Sequence, residues 1–314
     1  MDIIIDRERD GLTVLQYIKK YLPISSAHLK HLKFSEGGIL VNSEHATVRR
    51  ILHTGDILSL ATEDRNSDTH AEPVDLPLDI IYEDDECIAP SKPAFMPTHP
   101  SHDHYNDTVA NALAYRYREL GAPFVFRPVN RLDRNTSGIL LIAKSRIAAG
   151  KLSRAMTEGK IKKAYIAIVC GTLPQSEGVI ETYMRRTAES IIVRENCKED
   201  EGGDYALTRY RTLLTADGYS IVAASPITGR THQLRVHFAG LGAPILGDDM
   251  YGSRSSLIER HALHSTALCF PDGNGHPLTL TAPIPEDMEK AILAIFGEDT
   301  DLSRLTDGCR ELLI

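Results

Sequence analysis

Apolar residues recur at helical spacing at Leu12, Leu15, Tyr17 and Ile18, and Leu22-Pro23 closes the stretch, since proline cannot extend a helix. A second helical stretch runs through Leu29 and Leu32, with Ser25-Ser26 in place to cap it. The pattern then shortens. Gly37-Gly38-Ile-Leu-Val-Asn42 and Gly55-Asp-Ile-Leu-Ser-Leu60 each read as a turn entering a short strand. Residues 12–60 are therefore expected to form a compact unit. Beyond Leu60 the pattern lapses into an acidic stretch with Pro73 and Pro77, which reads as a linker over 63–77.

From Leu78 onward, strand-length apolar runs dominate. Ile80-Ile-Tyr82 and Cys87-Ile-Ala89 come first, followed by a capped helix over 107–116, a buried strand over 137–143, a helix over 145–158 and a strand over 163–169. Further strands are expected at 179–184, 205–214, 219–225, 230–237 and 276–281. Many strands joined by turns, with segregated helices, indicate the α+β class. The expected architecture is a mainly antiparallel sheet with flanking helices over 78–314, preceded by a small α/β domain over 1–62. No period of about 20 to 50 residues repeats, which argues against a solenoid.

At 314 residues, 42% hydrophobic and 25% charged, the chain has the make-up of a globular protein with one large or two unequal domains. No apolar run nears the roughly 18 residues of a membrane span. The N-terminus mixes Asp2, Asp6, Glu8 and Asp10 with Arg7 and Arg9, unlike a signal peptide. A cytoplasmic enzyme or binding protein, with no membrane partner, is the expectation. Five widely spaced cysteines, Cys87, Cys170, Cys197, Cys269 and Cys309, suggest neither a disulfide framework nor a zinc knuckle.

The net charge of −8 argues against a polyanionic partner only as an average. Between Glu63 and Glu86 ten acids face Arg65 alone, whereas between Arg127 and Tyr165 ten bases, Lys151 and Arg154 among them, face Asp133 and Glu158. The basic segment is where a phosphate backbone is expected to bind, against the plainer reading of a solvated helix face.

Two clusters carry chemistry. In Arg127-Pro-Val-Asn-Arg-Leu-Asp-Arg-Asn-Thr-Ser-Gly138, Asp133 stands between Arg131 and Arg134, which favours its ionised form as a nucleophile or general base requires. A turn capped by Asp133 is the structural alternative. In Pro226-Ile-Thr-Gly-Arg-Thr-His-Gln-Leu-Arg-Val-His237, an extended strand would put Gln233, Arg235 and His237 on one face. An ordinary edge strand would look the same. His99, His102, Asp103 and His104 lack the spacing of a structural zinc site, so no metal is expected. Serine-hydrolase elbows and nucleotide-binding glycine loops are absent from the sequence.

These clusters resemble the RluA-type family of RNA pseudouridine synthases. The family's His-Arg-Leu-Asp-x-x-Thr-Ser-Gly stands here as Asn130-Arg-Leu-Asp-Arg-Asn-Thr-Ser-Gly138, and its Lys-x-Tyr is similar to Lys163-Ala-Tyr165. Gly-Arg-Thr-His-Gln-Leu-Arg-Val-His is intact at 229–237, and Leu-Gly-x-Pro-Ile-x-Gly-Asp-x-x-Tyr-Gly is complete at 241–252. Ala-Leu-His-Ser265, His276-Pro-Leu-Thr279 and an upstream Lys92-Pro-Ala-Phe-Met-Pro-Thr-His-Pro100 extend the likeness over about 78–285. Departures are Asn130 for histidine, Ala94 for glycine, and Pro90-Ser91 in a usually more apolar run.

The resemblance implies an isomerisation without cofactor, in which uracil is detached from ribose, turned and rejoined through C5. It implies an extruded base in structured RNA, ribosomal before transfer RNA, and a monomeric enzyme. Asp133 becomes the reacting carboxylate, Arg235 its ionic partner and Tyr165 the group that stacks under the base and moves a proton. Arg131, Arg134, Lys162, Lys163, Arg230 and His232 become RNA contacts, Arg131 as filler of the vacated stack or as a phosphate contact. Residues 1–62 resemble an S-four-type RNA-binding domain, which makes Lys30, Lys33, Arg49 and Arg50 phosphate contacts. Two rivals are a non-catalytic RNA-binding or ribosome-assembly factor on the same fold, and a glycoside hydrolase, which needs a second placed carboxylate.

Overall fold

The computed structural model describes residues 1–24, 26–61 and 71–314, without the side chains of residues 26 and 27. The cap expected at Ser25-Ser26 and most of the expected linker lie outside the described residues.

Strands β1 (Asp2–Ile4), β2 (Ile39–Val41), β3 (Glu44–His45) and β4 (Ile57–Leu60) form an antiparallel sheet in the order β1-β4-β2-β3. Helices α1 (Val14–Tyr21) and α2 (Ser26–Phe34) pack on it. Thr13 starts α1 by a reciprocal cap: its hydroxyl accepts the Gln16 backbone N–H, and the Gln16 side-chain Oε1 accepts the Thr13 N–H. The apolar stripe of α1, Val14, Tyr17 and Ile18, clusters with Leu29 and Leu32 of α2 and with Ile39, Val41, Leu58 and Leu60.

The rest of the chain builds on β5 (Asp79–Glu83), β6 (Cys87–Lys92), α3 (Val109–Glu119), β7 (Ser137–Ile139), β8 (Ile142–Ala143), α4 (Arg146–Thr157) and β9 (Lys162–Cys170). There follow β10 (Glu177–Arg186), β11 (Arg194–Cys197), β12 (Asp204–Ala216), β13 (Tyr219–Pro226) and α5 (Gln233–Gly240). The chain ends with β14 (Leu263–Pro271), β15 (Pro277–Thr281), α6 (Glu286–Phe296) and α7 (Leu302–Glu311). These eleven strands share one sheet, ordered β11-β10-β12-β13-β9-β14-β7-β6-β5, with β15 beside β14 and β8 beside β6. Every pairing is antiparallel except β14 with β7. The architecture is α+β, with helices on both faces of the sheet.

That two-sided cover explains the unbroken apolar run before residue 144. Ile139 and Leu141 cluster with Ala148 and Leu152 of α4, while Leu140 and Ile142 cluster with Val109 and Leu113 of α3. A strand covered on both faces has no polar alternate positions. The single strand expected over 137–143 is split into β7 and β8, because Leu141 turns its N–H to the Asn130 side chain and its carbonyl to the Val129 N–H. The helix expected from residue 107 begins two residues later, at Val109, capped by Thr108 in reciprocal bonds with Asn111.

Gly138 fixes how closely this region can approach β14. Its φ of 109° lies in the left-handed region, and a Cβ there would meet the Ser265 carbonyl oxygen at 2.2 Å. Only glycine satisfies both demands. Gly138→Ala should therefore lower unfolding free energy by more than about 2 kcal/mol. Urea denaturation measures it, and a change within experimental error would show that β7 shifts freely.

Candidate active site

Asp133 sits on an irregular loop between α3 and β7, and nearly every neighbour on that loop is tied down. The Asn130 amide oxygen accepts the Leu141 N–H at 2.7 Å. The Thr98 hydroxyl donates to the Leu132 carbonyl at 3.2 Å. The buried Lys92 ammonium donates to the carbonyls of Pro93, Met96 and Arg134 at 2.8, 2.8 and 2.9 Å. From the other side the buried Arg260, paired with Asp287 at 2.7 Å, donates to the Asn135 carbonyl at 3.1 Å and the Ser137 hydroxyl at 3.3 Å. His261 bonds the Thr136 hydroxyl at 2.8 Å, and His264 bonds Ser137 at 2.9 Å. The Asp133 side chain, 25% exposed, is left to open into a cleft of about 350 Å³.

Arg235 and His232 face that carboxylate, with closest nitrogens 3.7 and 3.9 Å from one oxygen. Arg235 makes its tightest pair elsewhere, a fork onto the fully buried Asp248 at 2.7 and 2.8 Å. Burial opposes the Asp248 charge, and the Arg235 hydrogen bonds outweigh it, so this carboxyl stays below its usual range. Asp248 thus orients the guanidinium, whose third nitrogen is turned toward Asp133. The His232 Nδ1 bonds the Tyr251 hydroxyl at 2.8 Å, and the Tyr251 ring lies 5.0 Å under the Arg235 guanidinium. Burial pulls the His232 ring below its ordinary value, against the pull of Asp133. Tyr165, on central strand β9, lines the same cleft, and burial, then the Asp133 charge, push its phenol up, so it keeps its proton.

Arg131, Lys163 and Arg230 also line the cleft. Arg134 turns away to His104, at 3.2 Å. Lys162, on the opposite side of β9 from Lys163, reaches the C-terminal Ile314 at 3.3 Å. Lys30, Lys33, Arg49 and Arg50 are exposed around the N-terminal sheet. Asp248, Tyr251, Lys92, Arg260 and His261 were not singled out by sequence reasoning. Asp248 and Tyr251 stand in the 241–252 motif and Lys92 in the upstream one, whereas Arg260 carries no sequence signal.

The strand expected over 230–237 is a turn followed by helix α5. His232 takes a left-handed backbone, φ 59°, and the Gln233 side chain accepts from the Thr228 hydroxyl at 2.7 Å and the Arg230 N–H at 3.0 Å. The helix is buried from Gln233 through Phe238, so no amphipathic stripe marks it. Its alternation of Gln233, Arg235 and His237 with Leu234, Val236 and Phe238 mimics a strand. Gln233 and His237, four apart, turn together toward Thr208 at 3.0 Å and Thr182 at 3.1 Å, leaving Arg235 for the carboxylates.

The basic run is not one open surface either. Lys144 pairs with Glu83 at 3.0 Å, Lys151 with Glu86, and Lys160 with Glu158 at 2.6 Å. Arg154 caps the Leu22 carbonyl at 2.7 Å. Part of the acidic run is thus spent on the basic one, and the cleft residues are the bases left for a ligand.

Among the described residues no cluster of histidine, cysteine and carboxylate is arranged for a metal, and no helix is long and apolar enough to cross a membrane. A family model for RNA pseudouridylate synthases matches residues 87–240. The uncharacterized RNA pseudouridine synthase YjbO of Bacillus subtilis is 39% identical over 288 residues, 90% of this chain and 98% of that one. The chain belongs to the RNA pseudouridine synthases. Ribosomal large subunit pseudouridine synthase D of Vibrio cholerae is 33% identical over 86% of each chain. The solved human RNA pseudouridylate synthase domain containing 1 aligns at 28% identity and a TM-score of 0.59, over 74% of this chain and 95% of that one. The protein is accordingly an isomerase that converts uridine to pseudouridine in RNA.

The buried histidines make the synthase's site sensitive to acid. Burial holds His237 down at about 4, and His261 and His264 at about 3. Below pH about 6.5 the unfolded chain takes up protons that these folded rings refuse, so stability falls as pH falls, by up to about 1.4 kcal/mol per ring per pH unit. Urea midpoints at pH 7.5, 6 and 5 should drop steeply, and a flat series would show the rings protonated within the fold.

Proposed function

We propose that Asp133 is the carboxylate that acts on the target uridine, faced by Arg235 at 3.7 Å, and that the substrate is ribosomal RNA. One observation carries this reading: among the described residues the cleft presents a single acid, Asp133, beside a buried tyrosine and facing two cationic or hydrogen-bonding groups, Arg235 and His232. An extruded base needs an apolar floor and a proton carrier, and Tyr165 offers both. Arg131, exposed at the mouth, stands where a side chain could fill the stack that the base vacates. Asp133 is the only carboxylate among the described residues lining the cleft, which disfavours the two-carboxylate chemistry of a glycoside hydrolase. Ribosomal RNA is favoured over transfer RNA by the relatives named for the large ribosomal subunit. The enzyme is taken to work as a monomer in the cytoplasm, its N-terminal unit adding RNA affinity through Lys30, Lys33, Arg49 and Arg50.

Asp133→Asn should preserve the fold and RNA binding and cut turnover at least about a thousandfold, read as tritium release from C5-labelled uridine in ribosomal transcripts. Substantial activity would remove Asp133 from the chemistry. Tyr165→Phe keeps the ring and should lose about a hundredfold in kcat with little change in affinity. Replacing Lys30, Lys33, Arg49 and Arg50 together by glutamine should raise KM and leave kcat unchanged. A fall in kcat alone would show that the N-terminal unit does not act through affinity.

A further inference from the structure

Beside the cleft lies a second, polar groove of about 250 Å³ between β10, the start of β11 and the Gly229–Thr231 bend. Four arginines, Arg185, Arg186, Arg194 and Arg230, line it against one acid, Asp204. Folding consumes only part of this charge. The Arg186 side chain is exposed and has no ion-pair or hydrogen-bond partner among the described residues. The Arg194 side chain turns to hairpin carbonyls at 3.2 to 3.3 Å and not to a carboxylate. Arg230 is 3.7 Å from Asp204, whereas Arg185 is paired with Glu195 at 2.8 Å.

The groove and the cleft share Gly229, Arg230 and Thr231 as a common wall. On the cleft side of that wall stands Lys163, a buried lysine with no anionic partner among the described residues, its ammonium 4.0 Å from where a Cβ on Gly229 would lie. Burying an ammonium without a counter-charge is costly. A ligand that brings the anion removes the cost. The groove is also fastened to the reacting centre, since the Tyr251 hydroxyl accepts the Arg194 N–H at 2.9 Å while bonding His232 at 2.8 Å.

We propose that the sugar-phosphate backbone of the RNA passes over the Gly229–Thr231 bend, with one phosphate at Lys163 and the next ones in the arginine groove at Arg186 and Arg194. This rests on the reading of the chain as an RNA-modifying enzyme and adds where its strand runs. A bare glycine at the bend lets a phosphate approach the backbone, and the fork of an arginine suits phosphate oxygens. The N-terminal unit then binds a more distant part of the same RNA.

The test is the salt dependence of binding, read by fluorescence anisotropy with a twelve-residue oligouridylate as probe. Each lost phosphate contact should lower the log-log slope by about 0.7. Arg186→Gln and Lys163→Gln should each show that loss, their combination about twice it, and the distant, exposed Lys290→Gln none. Arg186→Lys should restore the slope. Equal slopes for wild type and the double variant would overturn the proposal. Should Lys163→Gln fold poorly, the exposed Arg186 variants decide the matter alone: an unchanged slope for Arg186→Gln overturns the track. Pseudouridine formation by the wild type is measured separately in ribosomal transcripts. Full slope losses without any product would support the track while overturning the isomerase reading.

Discussion

A carboxylate that is to react must be charged, partly dry and immobile, and the Asp133 loop meets the last demand through cations that never touch the carboxylate. Lys92 and Arg260 approach from opposite sides and spend their N–H groups on loop carbonyls and the Ser137 hydroxyl. Irregular backbone buried in a core would otherwise leave acceptors unsatisfied, at about 1 to 3 kcal/mol each. Burial, with the Arg260 charge, pulls Lys92 down to about 7, and the Asp133 charge pulls the other way. The loop and the lysine that holds it therefore depend on each other.

The sheet supplies the other half of the geometry. Tyr165 and Lys163 lie two apart on β9, so they look to one face, and the pairing of β9 with both β13 and β14 leaves that face little room to shift. Tyr165 is in register with Ser265, which in turn faces Gly138 across the parallel β7 pair. The strand carrying the tyrosine and the loop carrying the aspartate are thereby set against the same residue of β14. Helix α5 brings Arg235 to the remaining side, and Asp248 fixes its fork before any ligand arrives. Such preorganised polar groups need no rearrangement during the reaction.

The α+β class, most strands and the meeting of Asp133, Tyr165 and Arg235 at one cleft were legible in the sequence, because short apolar runs and dense motifs survive without coordinates. Of the features that were not, such as central strand β14 and helices α6 and α7, three show why. Helix α5 was hidden because its polar residues, buried and bonded to β10, β12 and the carboxylates, alternate with apolar ones as a strand's would. The role of Asp248 was hidden because Arg235 could pair with either acid, and only geometry shows the fork. Arg260 was hidden entirely, since beyond the neighbouring His261 and Leu263 carbonyls its partners, the Asn135 carbonyl, the Ser137 hydroxyl and Asp287, come from distant segments. Asn130, by contrast, stood out as a departure, and its place explains why it is tolerated: an amide oxygen suffices to take the Leu141 N–H.

Charge shows the same limit of linear reading. Along the chain an acidic run precedes a basic one, and it is natural to assign the bases to RNA. In the fold, Glu83 lies against Lys144 in a half-buried pair and Glu86 against Lys151 in a more exposed one, and both pairs cancel field. What survives cancellation is a smaller set from separate segments: Arg131, Lys163, Arg230 and Arg186, gathered around the cleft and the groove beside it. A net charge of −8 is then compatible with a polyanionic substrate, because within a Debye length of about 8 Å the local residues dominate the potential. Acids elsewhere on the surface act at longer range, where salt screens them, and so oppose binding least under the conditions in which RNA is engaged.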